Sequence, residues 1–180
     1  MTTRSLVLYL KISKNQAEAA GSEKHRIYHA EDPMAPMDDH FGVLGLAQTQ
    51  VRLHEPTPLW AVLYRAEEER LRAALGPALV AVEHYGSTSV PGIRAKPIID
   101  ILAGIARLED GPALIEPLAA LGYEYAGDKV VPGHHIFGKG KERTHLLHVV
   151  EHGSPIWTEA LCFRDALRTD PKLAREYEAL

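Results

Sequence analysis

The chain has 180 residues, with 20 lysines and arginines against 24 aspartates and glutamates, a formal net charge of -4 and 46% hydrophobic residues. That length and balance fit one globular domain with a buried core, and exclude a disordered, collagen-like or coiled-coil chain. The negative balance argues against a general nucleic-acid binder, which is usually basic.

No run is long and apolar enough for a membrane-spanning helix, so no membrane partner is expected. Cys162 is the single cysteine, which leaves no internal disulfide or cysteine zinc cage and points to a reducing cytoplasm. The start is a poor signal peptide: one Arg4 precedes a short apolar patch that Lys11 and Lys14 interrupt. Gln16 to His40 is polar, and its His25, His29 and His40 lack metal-ligand spacing. Residues 1–41 therefore read as a flexible or non-native leader, and 42–180 as the domain proper.

From Trp60 the pattern is helical: Trp60, Leu63, Tyr64, Leu71 and Leu75 recur on one face, with Pro58 ahead and Gly76-Pro77 as the stop. Glu67 to Arg70 reads as the exposed side. A strand follows from Ala78 to His84, then a turn-rich connection from Gly86 to Pro97, then an apolar strand from Pro97 to Ile105. Leu108 to Leu121 reads as an amphipathic helix closed by Gly122. Tyr123 opens a strand, and Gly127 to Gly140 is a Gly-rich basic loop around a short strand at His135 to Phe137. Arg143 to Glu151 alternates: Thr144, Leu146, His148 and Val150 face one way, and His145, Leu147, Val149 and Glu151 the other. Ser154-Pro155 caps a helix to Leu167, and Asp170-Pro171 repeats that signal for a last helix reaching at least Leu180.

The chemistry concentrates between His84 and Leu102. Gly86-Ser87 is a small-residue turn that permits close approach of a phosphate, with Ser87 as donor. Thr88 follows it, and Lys96 lies a few residues on. Asp100 stands alone in the apolar run Ile98 to Leu102. A carboxylate in a buried strand is costly unless paired or metal-bound. Two readings are open for it: a ligand to a metal, or a structural ion pair with Lys96 or Arg94. Ser87 reads equally as a helix cap, Lys96 as a surface residue, and Gly92 as a turn former. A lone His on a strand reads first as a hydrogen-bonded structural residue, and second, for His84 before the turn and His148 on a later strand, as a partner of Asp100. A set of Asp100, His84 and His148 has nitrogen–oxygen character suited to Mn²⁺ or Zn²⁺ more than Mg²⁺. His145 and His152 read as structural. The loop from Lys129 to Arg143 reads either as cover for a polyanion or as a solvated hairpin. Arg164-Asp165 reads as a structural ion pair, Trp157 as core and Cys162 as inert.

Several stretches together carry a resemblance: His84-Tyr-Gly-Ser-Thr-Ser-Val-Pro-Gly-Ile, Ala95-Lys-Pro-Ile-Ile-Asp-Ile, Gly122-Tyr, Thr144-His-Leu-Leu-His-Val-Val-Glu-His-Gly-Ser-Pro, Phe163-Arg-Asp and Glu176-Tyr. The chain resembles the GrpB family of the nucleotidyltransferase-fold superfamily over roughly Val51 to Leu180. The resemblance implies an α/β (α+β) fold of nucleotidyltransferase type: a mixed, partly antiparallel sheet with helices packed on it and a C-terminal helical pair. It implies a small-molecule partner, a nucleotide or other phosphate-bearing ligand, with a divalent metal. In that superfamily Gly-Ser is followed by two acids at i and i+2 on one strand face, both reaching the same ions. Gly86-Ser87 and Asp100 match; Leu102 stands in place of the second acid. His148 lies where the superfamily often keeps a third acid, which implies a catalytic or metal role beside Asp100. Some members resemble domains joined to dephospho-CoA kinase. Two functions follow as expectations: a metal-dependent nucleotidyltransferase, or a degenerate binding module linked to coenzyme A metabolism.

Overall fold

The computed structural model describes residues 43–45 and 52–179. The expected leader, 1–41, lies outside the described residues. Among those described, four α-helices and five strands form a mixed α/β domain: α1 Leu59–Leu75, β1 Ala81–Tyr85, β2 Ile99–Ile105, α2 Ile115–Ala120, β3 Tyr123–Gly127, β4 His135–Lys139, β5 His145–Glu151, α3 Pro155–Thr169 and α4 Pro171–Glu178. The sheet order is β1-β2-β5-β4-β3; β2 and β5 are parallel and the other neighbours antiparallel.

The register decides which side chains share a face. Asp100 pairs with Tyr85 on one side and Leu146 on the other, and Leu146 pairs with Gly138. Leu102 pairs with Glu83 and with His148. Cross-strand partners lie on one face of a sheet, so Tyr85, Asp100, Leu102, His148 and Gly138 share it. Ile99, Ile101, Ala103, Leu147, Val149 and Phe137 fill the other, where they bury against Trp60, Tyr64, Leu71 and Leu75 of α1 and Leu118 of α2. On the Asp100 face, Leu102 and Val150 pack under Trp157 and Ala160 of α3. The C-terminal pair α3–α4 closes over Val90 and Ile93 through Phe163, Leu167 and Ala174. Ser154 and Asp170 cap these helices, accepting from Trp157 N–H and from Lys172 and Leu173 N–H.

Three expectations change. The first strand starts at Ala81, because Gly76–Ala78 forms a 3₁₀ turn around Pro77. The span from Leu108 is 3₁₀ helix to Leu114, with Pro112 inside it, and only Ile115–Ala120 is α-helical; proline removes a ladder donor and crowds the preceding turn. Glu67, expected to be exposed, is 1% exposed. Lys139 Nζ from β4 donates to both of its oxygens at 2.8 and 2.9 Å, and Arg70 adds a bond at 3.3 Å. A buried carboxylate survives there because this charge meets it.

Candidate functional site

The turn after β1 is built on Gly86, whose φ of 73° lies in the region that disfavours any side chain. The chain then makes one 3₁₀ turn, Ser87–Ser89. Ser89 N–H and Ser89 Oγ both donate to Gly86 O, at 3.1 and 2.7 Å. Helix α3 grips this turn from outside. Arg164 donates to His84 O at 3.1 Å and to Glu83 Oε2 at 2.7 Å, and Arg168 donates to Ser89 O at 2.9 Å. The expected Arg164–Asp165 pair is present at 2.8 Å.

Asp100 lies directly over the turn. A Cβ on Gly86 would fall 2.7 Å from Asp100 Cβ and 2.8 Å from its Cγ. The carboxyl therefore fits only because position 86 has no side chain. Asp100 is half-buried, and burial raises its pKa to about 7 against the opposing charge of Lys96. Among the described residues nothing hydrogen-bonds or ion-pairs with it. Arg94 is committed elsewhere, to Glu178 of α4 at 2.5 Å. Lys96, half-buried, acts on Asp100 only at a distance. Ser87 is half-buried and its side chain caps nothing.

His84 is not part of this group. Tyr85, not His84, pairs with Asp100, and neighbouring residues on a strand face opposite ways. His84 lies in the core, stacked on Tyr64 at 4.6 Å between ring centres. Burial first, then the charges of Arg168 and Arg164, lower its pKa to about 3. Thr88 also departs from its expected role. It is 6% exposed, its hydroxyl donates to Ile98 O at 3.2 Å, and it accepts from His84 Nε2 at 3.0 Å. Its one proton is used internally, so it is not turned to a phosphate, and His84 carries its proton on Nε2.

His148 does lie on the Asp100 face, opposite Leu102. Its Nδ1 is 3.4 Å from Nδ1 of His134, and Tyr85 meets its ring edge-on at 5.2 Å. Burial lowers His148 to about 3 and His134 to about 4, so both are neutral near pH 7 and one donates to the other. That makes His148 a weak proton acceptor at neutral pH. Among the described residues no three His, Cys, Asp or Glu side chains gather closely enough to hold a metal ion. The expected triad of Asp100, His84 and His148 is therefore not assembled: β-strand parity sends His84 to the other face. Position 102 offers no replacement acid, since Leu102 is fully buried beneath Trp157. The donor set that remains is one carboxylate beside a small-residue turn. It fits an ion such as Mg²⁺ that keeps waters and ligand phosphates as most of its shell, and does not fit a resident Zn²⁺ cage.

Part of the basic loop is consumed by the fold. Lys139 pairs with Glu67, and His135 bonds Tyr125 Oη at 2.7 Å and Leu108 O at 2.9 Å. Arg143 is different, and the sequence alone did not single it out: its guanidinium lies across Gly138, where any Cβ would overlap it. The sequence signal was a glycine inside a strand, Gly138 between Phe137 and Lys139, a mark of close approach by another group. Cys162 is exposed on α3.

A mixed five-stranded sheet with helices on both faces and an acid facing a Gly-Ser turn defines the class of protein. The model of the family described as GrpB protein matches residues 50–180, and the chain belongs to the GrpB family. It is 41% identical over 122 residues to the UPF0157 protein YqkA of Bacillus subtilis (strain 168), covering 67% of this chain but 36% of that protein; the chain thus spans about a third of that relative. It is 35% identical to the Glutamate-rich protein GrpB of Alkalihalophilus pseudofirmus, over 77% of this chain and 83% of that one. A dephospho-CoA kinase of Mycolicibacterium paratuberculosis matches at 28% identity, over 82% of this chain and 42% of the kinase. The crystal structure of conserved protein GrpB from Enterococcus faecalis superposes with a TM-score of 0.67 at 34% identity, covering 71% of this chain and 79% of that one. Among the described residues no helix is long and apolar enough to cross a membrane.

Proposed function

We propose that this chain binds a nucleotide or a related phosphate-bearing small molecule as its divalent-metal complex, at the turn Gly86-Ser87 and Asp100. The observation that carries this reading is the Asp100 carboxyl, half-buried against Gly86 and without a hydrogen-bond or ion-pair partner among the described residues. An anion held so expensively suits a site whose cation arrives with the ligand. Ser87 and Lys96 stand on the same side of the argument: one supplies a hydroxyl with no capping duty, the other a charge already felt by Asp100. A bound ion would neutralise ligand phosphates and draw Asp100 back to its ionised form.

Nucleotidyl transfer is the reaction class that the family resemblance suggests. With a single carboxylate the metal is held less firmly than by a pair, and His148 is too weakly basic to take the acceptor's proton at neutral pH. Asp100, poised near pH 7, is the better proton acceptor in the ligand-free site. A second reading, a module that binds without catalysing, is favoured by one observation: position 102, where a second acid would stand, is a leucine fully buried in the apolar cluster beneath Trp157. The similarity to a dephospho-CoA kinase makes coenzyme-A-like nucleotides part of the panel for either reading.

Thermal melting of wild type and Asp100→Ala with ATP, CTP and coenzyme A, with and without Mn²⁺, tests both. Stabilisation that requires nucleotide and metal together and disappears in Asp100→Ala supports the metal-complex reading. Stabilisation without metal, equal in the two proteins, supports the metal-free module, and no response to any of the panel sinks both.

A further inference from the structure

Two charged groups on one sheet face lack partners among the described residues. Asp100 is the first and Arg143 the second. Gly138 on β4 pairs with Leu146 on β5, which pairs with Asp100 on β2, and the Arg143 guanidinium lies on the side of Gly138 where a side chain would project. It therefore lies on the Asp100 face, in the same cross-strand row. Two strand spacings separate Gly138 from Asp100, about 10 Å. Leu146, half-buried, is the only side chain between them in that row.

Arg143 is itself half-buried, and burial lowers its pKa. No ion pair or hydrogen bond to a described residue compensates it. Glu124, the next position in the row on β3, is exposed; its charge is felt by Arg143 but the two do not pair. Buried Arg164, by contrast, is satisfied by Glu83 and Asp165, and even exposed Arg168 is bonded, to the Ser89 carbonyl. A planar guanidinium over a glycine, with its N–H fork unclaimed by any described residue, is suited to bidentate capture of a phosphate or carboxylate.

We propose that Arg143 seats an oxyanion, a phosphoryl or carboxylate group, of a ligand lying along the β2–β5–β4 face. The molecule it selects is one with two acidic groups, one held beside Asp100 at the Gly86-Ser87 turn and the second at Arg143 across Leu146, where Asp100 and Gly138 stand roughly 10 Å apart. This deepens the function proposed above and rests on it only for where the other end of the ligand lies. In a transfer reaction Arg143 orients the acceptor and is a specificity-determining residue.

The test uses the whole protein and separates the two claims. Arginine-selective dicarbonyl labelling, read by mass spectrometry, is run with pyrophosphate, with succinate, and with sodium chloride at matched ionic strength, without metal. Exposed Arg65 is the internal control. Pyrophosphate or succinate slows labelling of Arg143 at least several-fold and leaves Arg65 unchanged, in wild type and in Asp100→Asn alike; unchanged labelling of Arg143 with both anions overturns the proposal. Which of the two protects identifies the oxyanion. In parallel, Arg143→Met, which keeps an unbranched side chain over Gly138, weakens calorimetric binding of the protecting anion at least tenfold with no loss of melting temperature. Equal affinity in Arg143→Met overturns the proposal. Protection of Arg143 with no metal-dependent nucleotide binding leaves this inference standing and removes the reading of the turn; the reverse pattern does the opposite.

Discussion

Gly86 and Asp100 compete for one volume: a methyl group on the first would sit 2.7 Å from Cβ of the second. The pair therefore behaves as a unit, although neither residue bonds the other. Gly86→Ala meets both this overlap and the strain of φ 73°, and is expected to destabilise the fold by about 2–4 kcal/mol. Gly92 is the matched control. Its φ is 81° and nothing lies within 4 Å of a Cβ there, so Gly92→Ala is expected to lose only about 1 kcal/mol. Urea denaturation of both variants checks this, and equal losses would remove the steric coupling.

Asp100→Asn is expected to stabilise the ligand-free protein. The folded state holds the Asp100 proton to about pH 7, against 3.8 ordinarily. The group thus favours the fold when protonated, and that contribution is lost as the pH rises through about 7. Above that pH the wild type carries an uncompensated carboxylate, and the Asn variant is expected to be more stable by about 1–2 kcal/mol. The two proteins converge at acid pH, below 3.8. Melting temperatures across that range, without metal or nucleotide, check the direction. A less stable Asn variant at pH 8 would mean that an unseen partner satisfies Asp100.

The buried histidines act with the opposite sign. His84, His134 and His148 fall from 6.5 to about 3, 4 and 3 on folding, mainly through burial. Their neutral state costs nothing above pH 6.5. Below it the unfolded chain takes up protons that the folded one refuses, so stability falls with the pH. Each contributes a slope of up to about 1.4 kcal/mol per pH unit until its folded value is reached. Asp100 offsets one of the three between 6.5 and 3.8. His148→Gln is expected to make the acid side of the stability profile shallower, which denaturation series at pH 7, 6 and 5 would reveal.

Lys139→Met is expected to be among the most damaging single changes away from the Asp100 face. It leaves Glu67, which is 1% exposed, with Arg70 at 3.3 Å as its remaining ion-pair partner among the described residues. The cost therefore falls toward the lower end of the roughly 3–5 kcal/mol lost when one member of a buried pair is removed. The double variant Glu67→Leu/Lys139→Met removes both charges and is expected to recover most of the loss. A chemical-denaturation cycle on the four proteins reads the coupling, and additive losses would refute it.

How far the sequence reached depends on the range over which each residue's partners lie. The two faces of Thr144 to Glu151 were visible because side chains on a strand alternate every second residue, although β5 turns out to be buried on both of them. The Gly86–Asp100 juxtaposition was legible because the chain returns quickly, from β1 through one turn to its antiparallel neighbour β2. His84 was misplaced by one step of parity: with β1 ending at Tyr85, the residue beside Asp100 is Tyr85, and such a step exchanges the two faces. Thr88 was misjudged because its partners, His84 and the Ile98 carbonyl, are fixed only once the turn is folded. Glu67 looked like part of a solvated charge run, since the lysine that neutralises it comes 72 residues later. Arg143 was lost among loop residues for a different reason: its partner is near in sequence, but what marks it is the empty side-chain position of Gly138 that its guanidinium occupies once the chain folds.

The grip of α3 on the turn carries a lesson for anyone trimming this domain. Arg164 and Arg168 reach back about eighty positions to hold the carbonyls of His84 and Ser89. A fragment ending before Pro155 would retain Gly86, Ser87, Lys96 and Asp100 in full, yet release the ties that fix their shape. Pruning the tail would therefore blunt recognition without deleting a single recognising side chain.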